Sequence, residues 1–177
     1  MQGQHRLRER AGRTAADALL AGAVAVAVNL ALLSAARWIP LATGNGVLLK
    51  VIQIYLGRQV TASGLPALWT GVGLPGPENH FFLLSFHTGV GLLMALAYAF
   101  VIEPILRGSP WVKGSVYAAG VWLINAFAAL PLIGAGIAGI RTLSLGGILY
   151  FAVAHTVFFV LLAELYARAH RLNPGRR

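Results

Sequence analysis

Cysteine is absent from this sequence, and charged residues are scarce. The lack of cysteine excludes disulfide bonds, thiolate metal sites and a cysteine nucleophile. Charged residues make up 11% of the 177 residues, whereas a water-soluble domain has about 25%. Acidic residues are the scarcest, with five Asp plus Glu against 14 Lys plus Arg. No stretch is polar for long enough to form a separate water-soluble domain, so residues 1–177 are expected to form a single transmembrane domain.

Hydrophobic residues make up 58% of the chain and are concentrated in four long runs. A hydrocarbon core of about 30 Å needs about 20 apolar residues in an α-helix, because each residue adds about 1.5 Å. The runs at roughly 15–39, 80–105, 112–133 and 144–167 are long enough. They predict an all-α fold, an integral membrane bundle of four transmembrane helices.

A fifth apolar run, at 46–59, is too short to cross a bilayer. Lys50, Gln53 and Gly57 fall on one face of a helix there, at spacings of three and four. This pattern predicts a short interfacial helix or a re-entrant helix folded back on the bundle. The Gly- and Pro-rich run from Ser63 to Pro77 that follows predicts a loop.

Basic residues cluster at the two ends of the chain and in one short loop, which is a membrane-topology pattern and not a nucleic-acid-binding face. The expected partner is therefore the lipid bilayer, not a nucleic acid. With the N-terminus in the cytoplasm, ten Lys and Arg lie inside and four lie outside, namely Arg37, Lys50, Arg58 and Arg141. The positive-inside rule thus predicts that both termini are cytoplasmic.

The first run has a rival interpretation as a secretory signal. A basic head precedes it, and Ser34-Ala35-Ala36 offers small residues for cleavage. However, the apolar part of such a signal is usually only about 7–15 residues long. We expect the run to stay in place as a transmembrane helix, with cleavage as the alternative.

One polar residue stands in the outer half of each predicted span: Asn29, His87, Asn125 and His155. The rise per residue places the first three about 10 Å below the outer surface and His155 about 16 Å below it. Because unpaired polar groups are costly in hydrocarbon, all four are expected to point into the bundle. Hydrogen bonds between helices, a ligand or proton site, and a pair of haem-ligating histidines are the three interpretations, of which we favour the first.

The acidic residues of the spans, Asp17, Glu103 and Glu164, lie near the predicted cytoplasmic ends. The expected ion-pair partners are nearby basic residues, Arg13, Arg107 and Arg168. No nucleophile or substrate pocket accompanies these carboxylates in the sequence, so no catalytic residue is predicted. Apart from the haem alternative, no cofactor is expected.

Short motifs mark the last three spans: His87-Thr88-Gly89-Val90-Gly91 with Tyr98, then Lys113-Gly114 and Gly120-Val121-Trp122, then Pro131 and Gly134-Ala135-Gly136, and finally Ala154-His155 with Phe158. With these motifs the chain resembles, from about Leu65 to Ala167, the YagU-like family of small bacterial four-helix inner-membrane proteins of unknown function. The resemblance implies a location in the bacterial inner membrane. It also implies that His87 and His155 belong to a shared pattern, and it implies no activity.

Three functions therefore stay open. The first is a non-catalytic membrane scaffold or accessory subunit, either as a homo-oligomer or within a membrane complex. The second is a small transporter or ligand-binding membrane protein that uses the polar residues of the outer half. The third is a haem protein that transfers electrons. We favour the first, because polar residues in transmembrane helices commonly join neighbouring helices.

Overall fold

The structure is a computed structural model that describes residues 2–36, 38–39, 41–42, 46–77 and 79–171, with side chains from residue 11 onward. Four of its helices are long and apolar enough to cross a membrane, Ala11–Ala35, His80–Ile105, Pro110–Leu132 and Leu145–Arg171. This confirms the all-α class and the four predicted spans. Some residues used in the charge count lie outside the described side chains, namely Arg6, Arg8, Arg10, Arg37, Arg176 and Arg177.

The helices follow one another as α1 (Gln2–Ala35), α2 (Val47–Ala62), α3 (Leu65–Gly71), α4 (His80–Ile105), α5 (Pro110–Leu132) and α6 (Leu145–Arg171). Helices α4 and α5 each contain one π-helical turn, at Tyr98–Ile102 and Asn125–Ala129. Helix α1 ends at Ala35, four residues before the predicted boundary at 39.

Helix α3 occupies Leu65–Gly71 within the predicted loop at 63–77, so the loop prediction was wrong for those residues and right for the turns around them. Its proline, Pro66, stands in the first helical turn, where the missing N–H would have had no partner within the helix. Gly64 supplies the left-handed backbone at the start, with φ of 73°. The following residues fold back, and the Trp69 indole N–H donates to the carbonyl of Pro75 at 2.7 Å. A proline near a helix start is thus compatible with the helix that follows.

The four long helices run alternately up and down. Helix α1 packs between α4 and α6, and α6 packs between α1 and α5. Small residues bring α1 and α4 together, since a Cβ on Gly22 would lie 2.5 Å from the Cβ of Ala95 and one on Gly91 would collide with Val26. The described ends of α1 and α6, Gln2 and Arg171, therefore lie at one end of the bundle, here called the terminal end. The opposite end is called the loop end.

Aromatic rings fill the core in the terminal half of the bundle. Tyr98 is fully buried, with its ring centroid 5.7 Å from that of Tyr166. Tyr117 packs edge-on against Phe159 at 4.5 Å. These contacts join α4, α5 and α6 through large, shape-specific side chains.

Helix α2 is attached at the loop end by only part of its surface. Val47 and Leu49 are buried, and Val47 packs with Leu130 and Ala135 at the end of α5. The Tyr55 hydroxyl donates to the carbonyl of Leu132 at 3.0 Å. Much of the remaining apolar surface of α2 and α3 is exposed, including Ile54, Leu56, Leu65 and Leu68. Helix α2 therefore covers the loop end without being enclosed by it.

Candidate functional site

Asn29 connects three of the long helices. Its side chain is on α1 and is 2% exposed. The amide Nδ2 donates to the carbonyl of Ala154 on α6 at 2.9 Å, and Oδ1 lies 3.0 Å from Nε2 of His87 on α4. We call Asn29, His87 and the Ala154 carbonyl the polar clamp.

Chemistry decides the direction of each hydrogen bond in the polar clamp. A backbone carbonyl only accepts, so the Asn29 atom that faces Ala154 must be the amide nitrogen. The amide oxygen then faces His87, and the Nε2 of His87 must carry the hydrogen. All three groups are therefore matched as donor and acceptor, in a location where an unpaired polar group would be costly.

His155 lies beside the polar clamp but does not belong to it. Its Nδ1 is 2.9 Å from the carbonyl of Phe151, one turn earlier on the same helix, and its ring packs edge-on against Phe151 at 4.2 Å. The carbonyl accepts, so Nδ1 carries the hydrogen. His155 is half-buried, and it follows Ala154, whose carbonyl belongs to the polar clamp.

Asn125 is separate from the other three residues. Its Nδ2 donates to the carbonyl of Val121 on its own helix at 3.2 Å, and the residue is half-buried. Its helix, α5, packs mainly on α6. The expected layer of four polar residues thus contains one connected pair, one neighbour and one residue that bonds within its own helix.

The two predicted haem ligands each use one ring nitrogen in a hydrogen bond within the chain. A bis-histidine site needs one nitrogen from each imidazole directed at a common iron. The Nδ1–H···O=C bond of His155 is compatible with a ligand, because it leaves Nε2 as an acceptor. His87 donates its Nε2–H to Asn29, which likewise leaves its Nδ1 as an acceptor. Cavities of 420 and 390 Å³ exist in the described part of the chain, and neither histidine lines them.

A second polar cluster, near the terminal end, was missed by sequence reasoning. Lys113 Nζ lies 2.7 Å from Glu103 Oε1, and the Tyr98 hydroxyl donates to Glu103 Oε2 at 2.7 Å. Lys113 also donates to the backbone carbonyl of Glu103 at 3.3 Å. The side chains of Lys113 and Glu103 are 12% and 31% exposed, so water reaches this ion pair only in part. We call these three residues the Glu103 cluster.

The expected pairing of Glu103 with Arg107 is wrong. Helix α4 ends at Ile105, so Arg107 lies in the loop and loses the helical register with Glu103. Lys113 stands near the start of the antiparallel helix α5, directly across the short loop. The short loop between α4 and α5 is the sequence feature from which the pairing of Glu103 with Lys113 could have been predicted. Glu164 and Arg168 both line a surface groove, and within the described residues they form no ion pair.

Replacing His87 by alanine is expected to lower the free energy of unfolding by about 1–3 kcal/mol, because the Oδ1 of buried Asn29 loses its donor. His87→Gln retains a donor and should recover most of this loss. The matched control is His80→Ala, since His80 is exposed at the start of the same helix and should matter by about 0.5 kcal/mol or less. Thermal unfolding in detergent measures all three. A larger effect for His80 than for His87 would refute the polar clamp.

The polar clamp and the Glu103 cluster are both built from side chains that bind other parts of the same chain. The bonds of the polar clamp join α1 to α4 and α6, and those of the Glu103 cluster join α4 to α5. Comparisons with protein-family models, with curated proteins and with solved structures find no match for this chain.

Proposed function

We propose that this protein is a non-catalytic membrane scaffold or accessory subunit. The observation that carries the proposal is the polar clamp. Asn29 and His87 are two of the four predicted ligand residues, and their described bonds go to each other and to the Ala154 carbonyl. A transporter that used these groups would have to break bonds that join three helices. A transporter that uses this polar layer therefore has less support than a scaffold.

The partner that this proposal requires is another protein within the bilayer, or a second copy of the chain. Large apolar side chains are exposed on the long helices, such as Leu93 on α4, Ile124 on α5 and Val153 on α6. Exposed apolar surface by itself does not distinguish a protein partner from lipid, because lipid tails are equally apolar. The scaffold proposal therefore requires that another protein contact one particular helix face.

Site-specific photo-crosslinking in native membranes tests the scaffold proposal. A photoreactive residue would replace Leu93, Ile124 or Val153, one at a time. We expect one face to give a discrete crosslinked protein, while the other faces react only with lipid. Purified protein in liposomes should show no saturable solute flux. A saturable flux that His87→Ala abolishes would contradict the proposal and favour the transporter.

For location, we propose the bacterial inner membrane with both termini in the cytoplasm. The ten-to-four distribution of Lys and Arg supports this orientation, as does the alternating direction of four spans. The resemblance to YagU-like proteins is retained as part of the same proposal. Reporter fusions at each end of the chain test it, and reporters on opposite sides would refute it.

We also propose that α2 and α3 lie in the outer membrane interface. They expose apolar residues such as Leu56 and Leu68 together with the cations Lys50 and Arg58. This mixture suits the boundary between hydrocarbon and headgroups. A variant that keeps Trp69 and carries Phe at the other three tryptophans tests it by fluorescence quenching with lipids brominated at different depths, and we expect the strongest quenching from shallow bromines.

A further inference from the structure

A cavity of 420 Å³ lies at the loop end, between α2 and the chain that links α5 to α6. Its volume falls in the range of about 300–1,000 Å³ that is typical of small-molecule sites. Its lining comes from the residues just before α2, from α2, from the end of α5 and from the link, and includes Val47, Lys50, Gln53, Ile54, Ile133 and Thr142. None of them belongs to the polar clamp or to the Glu103 cluster.

The lining combines a cationic corner with apolar walls. Lys50 and Gln53 lie one turn apart on α2, and Thr142 contributes a hydroxyl from the other wall. Lys50 forms no ion pair within the described part of the chain. The Thr142 hydroxyl makes only a long bond, 3.5 Å, to the carbonyl of Gly139. An ammonium, an amide and a hydroxyl are together the donors that a carboxylate or a phosphate accepts.

The walls of this cavity are held by the fold itself. The Tyr55 hydroxyl ties α2 to the carbonyl of Leu132. Across the cavity, the link is braced by backbone bonds from Ala135 to Leu130 at 3.0 Å and from Arg141 to Ala135 at 3.0 Å. A ligand would therefore enter a site that is already formed, which reduces the entropic cost of binding.

We propose that this cavity binds an amphiphile with an anionic head. The head lies at Lys50, Gln53 and Thr142, and the hydrocarbon packs against Val47, Ile54 and Ile133. A free fatty acid and an anionic membrane phospholipid share this chemistry. The site is independent of the scaffold proposal, because it uses different residues at a different end of the bundle.

Ligand-induced thermal stabilisation of the purified full chain tests the site. Decanoate is titrated in a neutral maltoside detergent, with decanol as the uncharged counterpart, and phosphatidylglycerol is compared with phosphatidylcholine in nanodiscs. Stabilisation should rise with concentration as binding to the folded state requires. We expect it from an anionic ligand and not from its neutral counterpart. Stabilisation by decanoate assigns a free fatty acid, and stabilisation by phosphatidylglycerol alone assigns a membrane lipid.

Two charge variants on α2 provide the matched comparison. Lys50→Gln should weaken binding about tenfold, the effect of losing one charge-assisted hydrogen bond. Arg58→Gln removes a cation from the same helix that does not line the cavity, and it should leave binding unchanged. Ile54→Asp, at an exposed wall position, should also weaken binding by repelling the anion.

Four results would overturn the proposal. Equal weakening by Lys50→Gln and Arg58→Gln would show general attraction of anions to a basic surface. Equal stabilisation by decanol and decanoate would show that the hydrocarbon chain binds without an anionic head. Equal stabilisation by inorganic phosphate would show that the anion binds without a hydrocarbon chain. No stabilisation by either anionic ligand would show that the cavity does not bind this class.

Discussion

Gly114→Ala is expected to lower the free energy of unfolding by about 1–3 kcal/mol, the usual cost of overpacking. A Cβ at this position would lie 2.7 Å from the carbonyl oxygen of Phe159 and 2.7 Å from the Cα of Val160. Both atoms belong to the backbone of α6, so relief requires the two helices to separate. That movement would also disturb the contact between Tyr117 and Phe159. Thermal unfolding in detergent measures the effect.

Gly120→Ala is the matched control for this experiment. Gly120 lies on the same helix, and a Cβ there would meet nothing within 4 Å. At an exposed helix position in water, alanine stabilises the helix by about 1 kcal/mol relative to glycine. Gly120→Ala should therefore leave the free energy of unfolding unchanged or raise it. Equal destabilisation by both variants would mean that α5 does not approach α6 as closely as the structure shows.

Removing the Glu103 carboxylate is expected to be the other large perturbation, at about 1–3 kcal/mol for Glu103→Ala. The fully buried Tyr98 hydroxyl would lose its acceptor, and Lys113 would lose its counterion. Partial exposure of the ion pair keeps the expected value below that of a fully buried pair. Glu103→Gln retains an acceptor for Tyr98 and should be less damaging.

A double-mutant cycle isolates the pairing of Glu103 with Lys113. Glu103→Ala, Lys113→Met and the double variant are compared by thermal unfolding, and a coupling of about 0.5–3 kcal/mol is expected. Arg107→Ala is the control, because Arg107 is exposed in the loop and should change stability by about 0.5 kcal/mol or less. A loss for Arg107→Ala as large as that for Lys113→Met would restore the pairing predicted from sequence.

The sequence was sufficient to predict the helices that could cross a membrane. The predicted run at 80–105 coincides with the span His80–Ile105, and the other three agree to within four residues at each end, apart from the longer basic start of α1. Apolar length is a property of a continuous segment, so no knowledge of neighbours is needed. The loop prediction at Pro66 failed because it treated the proline as a helix breaker. Pro66 stands in the first helical turn, where proline is tolerated.

The site was only partly predictable. The position of each polar residue along its span led to the selection of Asn29 and His87, and the structure shows a hydrogen bond between them. The same argument selected Asn125, which bonds within its own helix. Lys113 was not selected as the partner of Glu103, although the short loop before α5 places them at the same level.

By itself, the sequence determined the helical class, the four apolar segments and the position of each polar residue along its segment, because these depend on composition and spacing along one segment. Only the tertiary structure decided which polar residues meet. That outcome depends on the order in which the helices pack and on the rotation of each about its axis. Both are decided by close contacts such as Gly114 against the backbone of Phe159 and Gly22 against Ala95, which involve residues far apart in the chain.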